Sequence, residues 1–473
     1  MNPLSLRSLT VLLILAAALA MSMAGTGGPG SLAPSPALSP PLVQAESFAE
    51  AVPEEVLAKL QPGVSSARRQ EIFAALGLTE LEHVPELRLS HLRLPQGLPL
   101  DQALRGLGDL PEVEYAEPNY LFRTAVFPND PLYSRQIWYY GLIEMPQAWN
   151  VERGDPSLLV AVLDSGVDLS HPDLRGRIWK NPGEIPRNGL DDDDNGCVDD
   201  VNGCTFLSAA AVDPSCDVPF DTPSPRVDDD QGHGTFVAGI IAAETGNSIG
   251  VAGVAPGVTV MPVKVLDCTG AGSAMGVARG LLYAAQAGAR VANLSFGGAD
   301  ASSTLRDIIR RVHDEFGVVL VAPVGNDGAE GVSFPARLPE VIAVAASARG
   351  EPSARAAFSN WGPEVSVAAP GEDILGPLPE AACGQLATCI RGQPYGTADG
   401  TSFAAPQVAG LAALILSRSP QLGPEQVLSA IQRAALDLPD GDTPHWDGAG
   451  RIRAATSLRG LFFTIGVAGV SKS

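Results

Sequence analysis

Positively charged residues are scarce in this sequence, and their scarcity excludes one large class of function. The 473 residues contain 31 Lys and Arg against 53 Asp and Glu, which leaves a formal charge of −22. Binding to nucleic acid requires clustered Lys and Arg that neutralise phosphates, so we expect no nucleic-acid partner. Apolar residues are plentiful at 45%, which excludes a wholly disordered chain and provides material for a hydrophobic core.

The sequence also lacks a hydrophobic run long enough to cross a membrane. The apolar run Leu9–Ala20 is shorter than the roughly 20 residues of a spanning helix. Arg7 precedes this run and small residues follow it, a pattern typical of a secretory signal peptide. A membrane anchor is the alternative interpretation. We predict a signal peptide over residues 1–24, cleaved after Ala20 or Ala24, and therefore a secreted, extracellular protein without a membrane contact.

Cysteine is rare but even in number, with six residues in the chain. An even number in a secreted chain favours disulfides over zinc, and six cysteines allow about 15 pairings. Cys383 and Cys389 are close enough in sequence for a local bridge. The pairing of the other four stays open from sequence alone: Cys197, Cys204, Cys216 and Cys268.

A linker and a small folded region follow the predicted signal peptide. Residues 25–44 are rich in Gly, Ser, Pro and Ala, as flexible linkers are. Residues 45–124 alternate strand-like runs with two helix-like runs, Ser66–Leu76 and Leu100–Leu107, which predicts a small α+β domain. Its predicted strands are Glu55–Leu60, Leu87–Leu94 and Val113–Tyr115.

Over residues 125–458 the pattern changes to short, continuously apolar runs between amphipathic stretches. Such runs are typical of strands buried on both faces, so they predict a parallel sheet covered by helices, a three-layer α/β domain. An acidic insert, residues 181–230, has 13 acidic and two basic residues, a net charge of −11, and residues 459–473 form a tail. The apolar runs are Leu158–Leu163, Val258–Val265, Ala289–Leu294, Val318–Ala322, Val341–Ala345 and Val365–Ala368.

Three segments of the larger domain carry the residue types of nucleophilic catalysis. Asp164 ends the first apolar run, His233 lies in Gly-His-Gly-Thr, and Ser402 lies in Gly-Thr-Ser-Phe-Ala. A serine hydroxyl is a poor nucleophile unless a histidine accepts its proton and a carboxylate orients that histidine. Singly, each residue also fits a turn or a helix cap. Their conjunction predicts an acyl-transfer site.

These segments resemble those of the subtilisin-family serine proteases, the subtilases, and the resemblance extends over about residues 128–456. It implies that Ser402 is the nucleophile, His233 the general base and acid, and Asp164 the residue that orients His233. The segment Val-Ala-Pro-Val-Gly-Asn-Asp-Gly around Asn326 resembles the family's oxyanion loop. There the Asn326 side chain and the Ser402 N–H would stabilise the oxyanion.

The resemblance also implies a cleft that binds peptide or protein substrates. One segment would line the primary pocket, and another would be an edge strand that pairs with the substrate backbone. These are Ser295, Phe296 and Gly297 for the pocket, and Gly270, Ala271 and Gly272 for the edge strand.

Three residues near this site depart from the family pattern. Phe236 stands where the family often has a second His, and Phe403 where many members have Met after the nucleophile. Pro323 stands in the oxyanion loop where a small residue is usual. None of the three removes a catalytic group, but they bear on the shape of the cleft and on the rate.

A calcium site is implied by the resemblance on the loop that follows the histidine segment. Residues 247–251, Asn-Ser-Ile-Gly-Val, resemble the family's calcium loop. Aspartates from two other segments would join it in an all-oxygen shell of the kind that calcium takes. The implied ligands are the side chains of Asp130, Asp173 and Asn247, and the carbonyls of Thr245 (or its neighbour Glu244), Ile249 and Val251.

A second calcium loop is predicted within the acidic insert. Residues 191–196, Asp-Asp-Asp-Asp-Asn-Gly, match the first six positions of a D-x-D-x-N-G loop. The twelfth position is Asn202 rather than Glu, so the loop is not an EF-hand. A solvated acidic loop without an ion is the alternative. The predicted ligands are Asp191, Asp193 and Asn195, with further charge from Asp199 or Asp200.

Residues 45–124 resemble the propeptide of these proteases, which templates folding, inhibits the enzyme and is removed by self-cleavage, here between Leu121 and Phe127. The prediction is therefore a secreted, calcium-stabilised, monomeric serine endopeptidase made as a zymogen, whose chemistry needs no cofactor. One alternative is a binding or scaffold protein that keeps the fold, against which the presence of all four catalytic residues argues. The other is a peptidase with Glu as base and Asp in the oxyanion hole, against which His233 and Asn326 argue.

Overall fold

The computed structural model describes residues 51–120, 127–207, 212–216, 223–298, 302–350, 353–384, 386–439 and 443–468. The predicted signal peptide and linker lie outside these residues, as does the predicted region of self-cleavage apart from Phe127. The first residues of the predicted propeptide and the last residues of the tail also lie outside them. In the described part of the chain, no helix is long and apolar enough to cross a membrane.

Residues 51–120 form a four-stranded antiparallel sheet with two helices, in the strand order β2-β3-β1-β4. Its core includes Val56, Phe73, Leu92 and Leu107, each no more than 2% exposed. This is the α+β arrangement that the sequence predicts. The elements are β1 (Ala51–Leu60), α1 (Ser66–Ala75), β2 (Thr79–Val84), β3 (Leu89–Arg93), α2 (Leu100–Gly108) and β4 (Val113–Tyr120).

Strand β2 is the one element of this sheet that the sequence pattern did not predict. Its residues read Thr-Glu-Leu-Glu-His-Val and are all exposed or half-buried, because β2 lies at the edge of the sheet. An edge strand with no fully buried side chain has no apolar run, so periodicity does not identify it.

The larger domain is built on a seven-stranded parallel sheet in the order β11-β10-β9-β8-β5-β7-β6. The strands that follow β11 in sequence form a separate three-stranded antiparallel sheet in the order β12-β14-β13. The strands are β5 (Leu159–Asp164), β6 (Cys204–Thr205), β7 (Thr259–Lys264), β8 (Val291–Asn293), β9 (Val319–Pro323), β10 (Val341–Ser347), β11 (Val367–Pro370), β12 (Ile374–Pro377), β13 (Thr388–Cys389) and β14 (Tyr395–Ala398). The helices are α3 (Tyr133–Leu142), α4 (Met145–Ala148), α5 (His233–Ala242), α6 (Ala274–Gln286), α7 (Ser303–Phe316), α8 (Thr401–Arg418), α9 (Pro424–Ala434) and α10 (Ala454–Ala468).

Strand β5 shows why the predicted runs are continuously apolar. Val160 and Val162 belong to one core cluster with α5 and α8, whereas Ala161 and Leu163 belong to a second cluster with α6 and α7. All four side chains are fully buried. Helices therefore cover both faces of the sheet, which confirms the predicted three-layer α/β fold. In such a fold the loops at the carboxyl ends of the strands carry the functional residues.

Three disulfides join all six cysteines in the described part of the chain. The predicted local bridge, Cys383–Cys389, is present. The four cysteines left open by the sequence pair as Cys197–Cys204 and Cys216–Cys268. The first of these closes a loop of the acidic insert directly before β6, and the second ties the insert to the loop after β7.

The C-terminal boundary differs from the prediction. The predicted tail begins at residue 459, but α10 runs on to Ala468. Leu458 and Leu461 are buried in the same core cluster as α8. The packed core of the domain therefore extends beyond residue 459.

Candidate active site

The carboxyl edge of the parallel sheet brings together residues from distant parts of the chain. Asp164 is the last residue of β5, and His233 is the first residue of α5. His233 Nδ1 lies 2.8 Å from Asp164 Oδ1 and 2.9 Å from Oδ2. The Asp164 side chain is fully buried, whereas that of His233 keeps 15% exposure. The buried Asp164 carboxylate thus binds His233 Nδ1, which leaves Nε2 able to exchange a proton with a reaction partner.

Opposing effects act on the pKa of His233. Burial lowers this pKa, because the charged imidazolium loses hydration. The charge of Asp164, its hydrogen bond to Nδ1 and the charge of Asp229 raise the pKa. The net direction is upward from the ordinary value of 6.5. The ring is therefore a stronger base than a free histidine.

Ser402 is the second residue of α8. Its hydroxyl donates to the Ser295 carbonyl at 3.3 Å, and Ser295 Oγ donates to the Ser402 carbonyl at 3.1 Å. The ring of Phe403, the next residue, lies 5.5 Å from the His233 ring between centroids. Among the described hydrogen bonds none joins Ser402 to His233; such contacts commonly tighten only when substrate binds.

Asn326 follows β9 and faces the beginning of α8. Its side-chain Oδ1 accepts a hydrogen bond from the Thr401 N–H at 2.9 Å and from the Thr401 hydroxyl at 2.8 Å. Because these two donors hold the oxygen end, the amide nitrogen is the end that can donate to a ligand next to Ser402. The structure thus places the side chain with the polarity that an oxyanion needs.

Asp229 supports this site and was missed by the motif analysis. Its carboxylate accepts five hydrogen bonds, from Ser165 Oγ, Thr235 Oγ1 and three main-chain N–H groups around the start of α5. A carboxylate at a helix N-terminus satisfies N–H groups that have no helical partner. It thereby fixes the helix end that bears His233. The acidic residues just before Gly-His-Gly were the available sequence signal.

Lys264 is a second supporting residue that the sequence did not single out. It ends β7 opposite Asp164 and is 3% exposed. Its Nζ donates to Asp230 Oδ1 at 2.6 Å and to the Ser165 carbonyl. A buried ammonium group requires such partners, and here they connect the chain after β5 to the segment before α5.

A close approach of α5 to the end of β5 requires glycine at position 234. A Cβ atom there would lie 2.1 Å from the Gly166 carbonyl oxygen and 3.0 Å from Asp164 Cβ. The 2.8 Å contact between Asp164 and His233 therefore depends on the Gly-His-Gly sequence as well as on the histidine.

The two aromatic departures from the family pattern are in contact with each other. The rings of Phe236 and Phe403 lie 4.6 Å apart between centroids, and both side chains are buried. Because Phe403 also packs against His233, the rings of Phe236, Phe403 and His233 form a row of successive contacts. Aromatic pairs of this kind contribute about 0.5–1.5 kcal/mol beyond the area that they bury.

The predicted substrate segments differ in their structure. In the chain that follows β8, Ser295 is buried, Phe296 is half-buried and Gly297 is exposed, as a pocket wall would be. The exposed segment Gly270–Gly272 pairs with no strand among the described residues, and its pairing with a substrate backbone stays a prediction. Asp267 holds its middle residue, Ala271: the Asp267 N–H donates to the Ala271 carbonyl at 2.8 Å, and the Asp267 carboxylate accepts the Ala271 N–H at 3.1 Å.

The loop between α5 and β7 meets two buried aspartates. Asp130 accepts the N–H of Gly246 at 2.8 Å, and Asp173 accepts the Val251 N–H and Asn247 Nδ2, each at 2.8 Å. Burial raises the pKa of both carboxyls, that of Asp173 to about 6. Because a cation offsets the cost of burying two negative charges, this oxygen-rich set fits calcium. The remaining predicted ligands, Thr245 and Ile249, belong to the same loop.

The three predicted ligands of the acidic insert lie in one turn. The carboxylates of Asp191 and Asp193 both accept the Asn195 N–H, at 3.0 Å and 3.3 Å. The Asn195 side-chain nitrogen donates to Asp200 at 3.0 Å. Asp193 lies with Asp200 and Glu184, with carboxylate oxygens of the three within 4.8 Å of one another. Glu184 precedes the motif, so motif reading did not find it.

Comparison with known families matches two parts of the chain. Residues 155–450 match the family described as the subtilase family, and residues 38–119 match the one described as the fervidolysin N-terminal prodomain.

Several known proteins are similar over most of the chain. The thermophilic serine proteinase of Bacillus sp. (strain AK1) is 35% identical over 77% of this chain and 78% of its own length. Thermitase of Thermoactinomyces vulgaris is 33% identical over 70% of this chain and 99% of its own. Among solved structures, a protease from Pseudoalteromonas arctica PAMC 21717 is similar with a TM-score of 0.57 and 28% identity, over 71% of this chain and 99% of that one.

Proposed function

Because this chain belongs to the subtilase family of serine proteases and carries an N-terminal prodomain, we propose that it is an endopeptidase that uses Ser402, His233 and Asp164. The observation that carries the proposal is the 2.8 Å contact between His233 Nδ1 and the buried Asp164. The position of Ser402 also supports the proposal. Ser402 lies in the first turn of α8, and the ring of the next residue, Phe403, packs against the His233 ring.

In the proposed reaction, Ser402 Oγ attacks the scissile carbonyl carbon while His233 Nε2 takes the hydroxyl proton. Asp164 keeps the Nδ1 proton in place and stabilises the imidazolium. The developing oxyanion accepts hydrogen bonds from Asn326 Nδ2 and from the Ser402 N–H. That N–H lies in the first turn of α8, where backbone donors have no helical partner.

Collapse of the tetrahedral intermediate breaks the carbon–nitrogen bond. The leaving amine takes the proton from His233 and departs, which leaves an ester between the acyl group and Ser402. Water then attacks this ester with His233 again as the base, and the acid product leaves as the serine hydroxyl is restored. His233 accepts and returns each proton that is transferred in this cycle, so the reaction requires no cofactor.

We further propose that the enzyme is exported and matures by removing its own prodomain. The prodomain match is consistent with a zymogen. The signal peptide that would direct export and most of the predicted cleavage region lie outside the described residues. The partners that follow are peptide or protein substrates and the chain's own prodomain, with a monomeric mature enzyme.

A structural calcium ion belongs to this proposal. Asp130, Asp173 and Asn247 would hold it, with carbonyls of the loop that contains Thr245, Ile249 and Val251. Its contribution would be to fix that loop against the chain before α3 and after β5. It would supply no step of the hydrolysis.

Removal of calcium should shorten the lifetime of the mature enzyme at elevated temperature. A ligand that binds only the folded state stabilises it by about 2.7 kcal/mol at a hundredfold excess over Kd. We expect EDTA to accelerate thermal inactivation, and Asp130→Ala and Asp173→Ala to reproduce much of its effect. The measurement is residual activity against time. EDTA already saturated with calcium is the control, and an inactivation rate that ignores EDTA would refute the site.

A serine-directed sulfonyl fluoride tests the proposed nucleophile without mutation. We expect one adduct per active molecule, on the peptide that contains Ser402, with activity lost in proportion to labelling. The reason is that His233 activates one serine hydroxyl above all others. Mass spectrometry locates the adduct, and heat-denatured protein is the control. Labelling of a different serine, or full activity with Ser402 modified, would contradict the proposal.

A further inference from the structure

Pro406 lies inside helix α8, one turn after the proposed nucleophile Ser402. In a regular helix, the Ser402 carbonyl would accept a hydrogen bond from the N–H of residue 406. Proline has no N–H, and its ring crowds the carbonyl of the residue four positions before it. The hydrogen bonds of the helix therefore do not hold the Ser402 carbonyl as they would hold that of an ordinary helical residue.

The side chain of Ser295 takes the place of the missing helical donor. Its Oγ donates to the Ser402 carbonyl at 3.1 Å, and the Ser295 carbonyl accepts the Ser402 hydroxyl at 3.3 Å. Ser295 is 3% exposed, so its contact with Ser402 is shielded from solvent. A serine hydroxyl carries a single proton. Ser295 can therefore donate to Ser402 only while its other polar neighbour donates to it.

Asn293 is that neighbour. It is the last residue of β8, its main chain pairs with Val162 of β5 and Val321 of β9, and its side chain is fully buried. Its Nδ2 donates to Ser295 Oγ at 2.6 Å. Because an amide nitrogen donates and does not accept, this bond directs the single proton of Ser295 to the Ser402 carbonyl.

The other end of the Asn293 amide shows that this arrangement has a cost. Its Oδ1 is buried and has no hydrogen-bond partner among the described residues. A buried oxygen without a partner is unfavourable, and native proteins avoid one unless the group has another role. An apolar side chain at position 293 would avoid the cost. The amide is therefore explained by what its nitrogen does.

We propose that Asn293 is a positioning residue for the nucleophile, and that it acts on Ser402 through the hydroxyl of Ser295. This inference rests on the proposed role of Ser402. Two hydrogen bonds connect the interior of the parallel sheet to the first turn of α8. Fixing the Ser402 carbonyl fixes the orientation of the residue that bears the attacking oxygen. A strand supplies a more rigid base for this purpose than a loop does.

Asn293→Asp tests the direction of the Ser295 proton. The substitution changes the shape little, but an ionised carboxylate only accepts, so it would draw that proton away from Ser402. We expect kcat to fall about 10- to 100-fold, as displacement of reacting groups by about 1 Å does. KM should change little, because no substrate contact is removed. Asn293→Ala leaves the proton undirected and should lose less, and it keeps the test open if Asn293→Asp fails to fold.

A double variant shows whether Asn293 acts through Ser295. Ser295→Ala alone should lower kcat by a similar factor, and Asn293→Asp added to it should cause no further loss, because the connecting hydroxyl is already absent. A direct effect of the new charge on His233 would persist in the double variant. Each chain is processed by immobilised parent enzyme, which is then filtered off. The assays are run at alkaline pH, where the new carboxylate is ionised.

Ser417→Ala is the matched control. The half-buried Ser417 also donates through Oγ to a carbonyl of α8, that of Ala413 at 2.8 Å, but it lies about four turns beyond Ser402. This variant should keep the kcat of the parent, and thermal unfolding of every variant checks that the fold is kept.

Unchanged kcat in Asn293→Asp and Ser295→Ala would overturn the inference while leaving the proposed function intact. A full additional loss from Asn293→Asp in the Ser295→Ala background, or a loss confined to KM, would also overturn it. An inactive parent, or sulfonyl fluoride labelling of a serine other than Ser402, would contradict the proposed function and this inference with it.

Discussion

Replacing Ser402 with alanine should abolish peptide hydrolysis and leave the chain as an uncleaved precursor. Both outcomes follow from one cause, because self-cleavage and substrate cleavage would use the same hydroxyl. The loss in kcat should be about 10⁶-fold, as it is in subtilisin, a member of this family. The remaining oxyanion donors would give too little rate for an ordinary assay to detect.

The measurement is made on protein from a host that lacks other proteases. Gel analysis reports whether the prodomain stays attached, and a fluorogenic peptide reports residual rate. Ser170→Ala, in an exposed turn after β5, is the control and should mature normally. Normal maturation of the Ser402→Ala chain would show that another group, or another enzyme, removes the prodomain.

Asp164→Asn should lower kcat by about 10⁴-fold and shift the acidic limb of the pH profile downward. Burial opposes protonation of His233, and the Asp164 carboxylate overcomes it, so the pKa of His233 lies above 6.5 in the native protein. A base must be deprotonated, so native activity should rise with pH through a midpoint above 6.5. Without the carboxylate, burial prevails and the midpoint should fall.

The test compares kcat/KM across pH for the native and Asp164→Asn enzymes. Because the variant would mature slowly, its prodomain is removed with a trace of active enzyme that is then inhibited. Asp168→Asn removes a carboxylate whose described bonds are to Ser170, and should leave the midpoint in place. An unchanged midpoint in Asp164→Asn, or a loss below tenfold, would contradict the proposed role of Asp164.

The sequence predicted those parts of the fold that rest on local burial. Strands β5, β7 and β10 are apolar on both faces, so their runs match the structure within one or two residues. Strand β6 has two residues, which is too short for any pattern. The Cys216–Cys268 bridge spans 52 residues, and nothing in the spacing of the cysteines favours it over other pairings.

The residues of the proposed site also fall into those that the sequence predicts and those that it does not. Asp164, His233 and Ser402 each lie in a short motif at an element boundary, which is why their meeting could be predicted. Lys264 contacts Asp230 and Ser165, which only the folded sheet edge brings to it. Asp229 contacts Ser165 in the same way, although its other four hydrogen bonds are local to the start of α5. Hydrogen bonds between residues so far apart in the sequence produce no local pattern of residue types that could predict them.

The chain order of the proposed triad has a consequence for the timing of synthesis. A ribosome that has reached residue 400 has already produced Asp164, His233 and the oxyanion loop, but not the nucleophile. Helix α8, which bears Ser402, is also a central part of the core beneath β8, β9 and β10. Under the proposed triad, the growing polypeptide could therefore not cleave its neighbours in the cell before nearly the whole domain has been made. This delay would protect the producing cell independently of the prodomain.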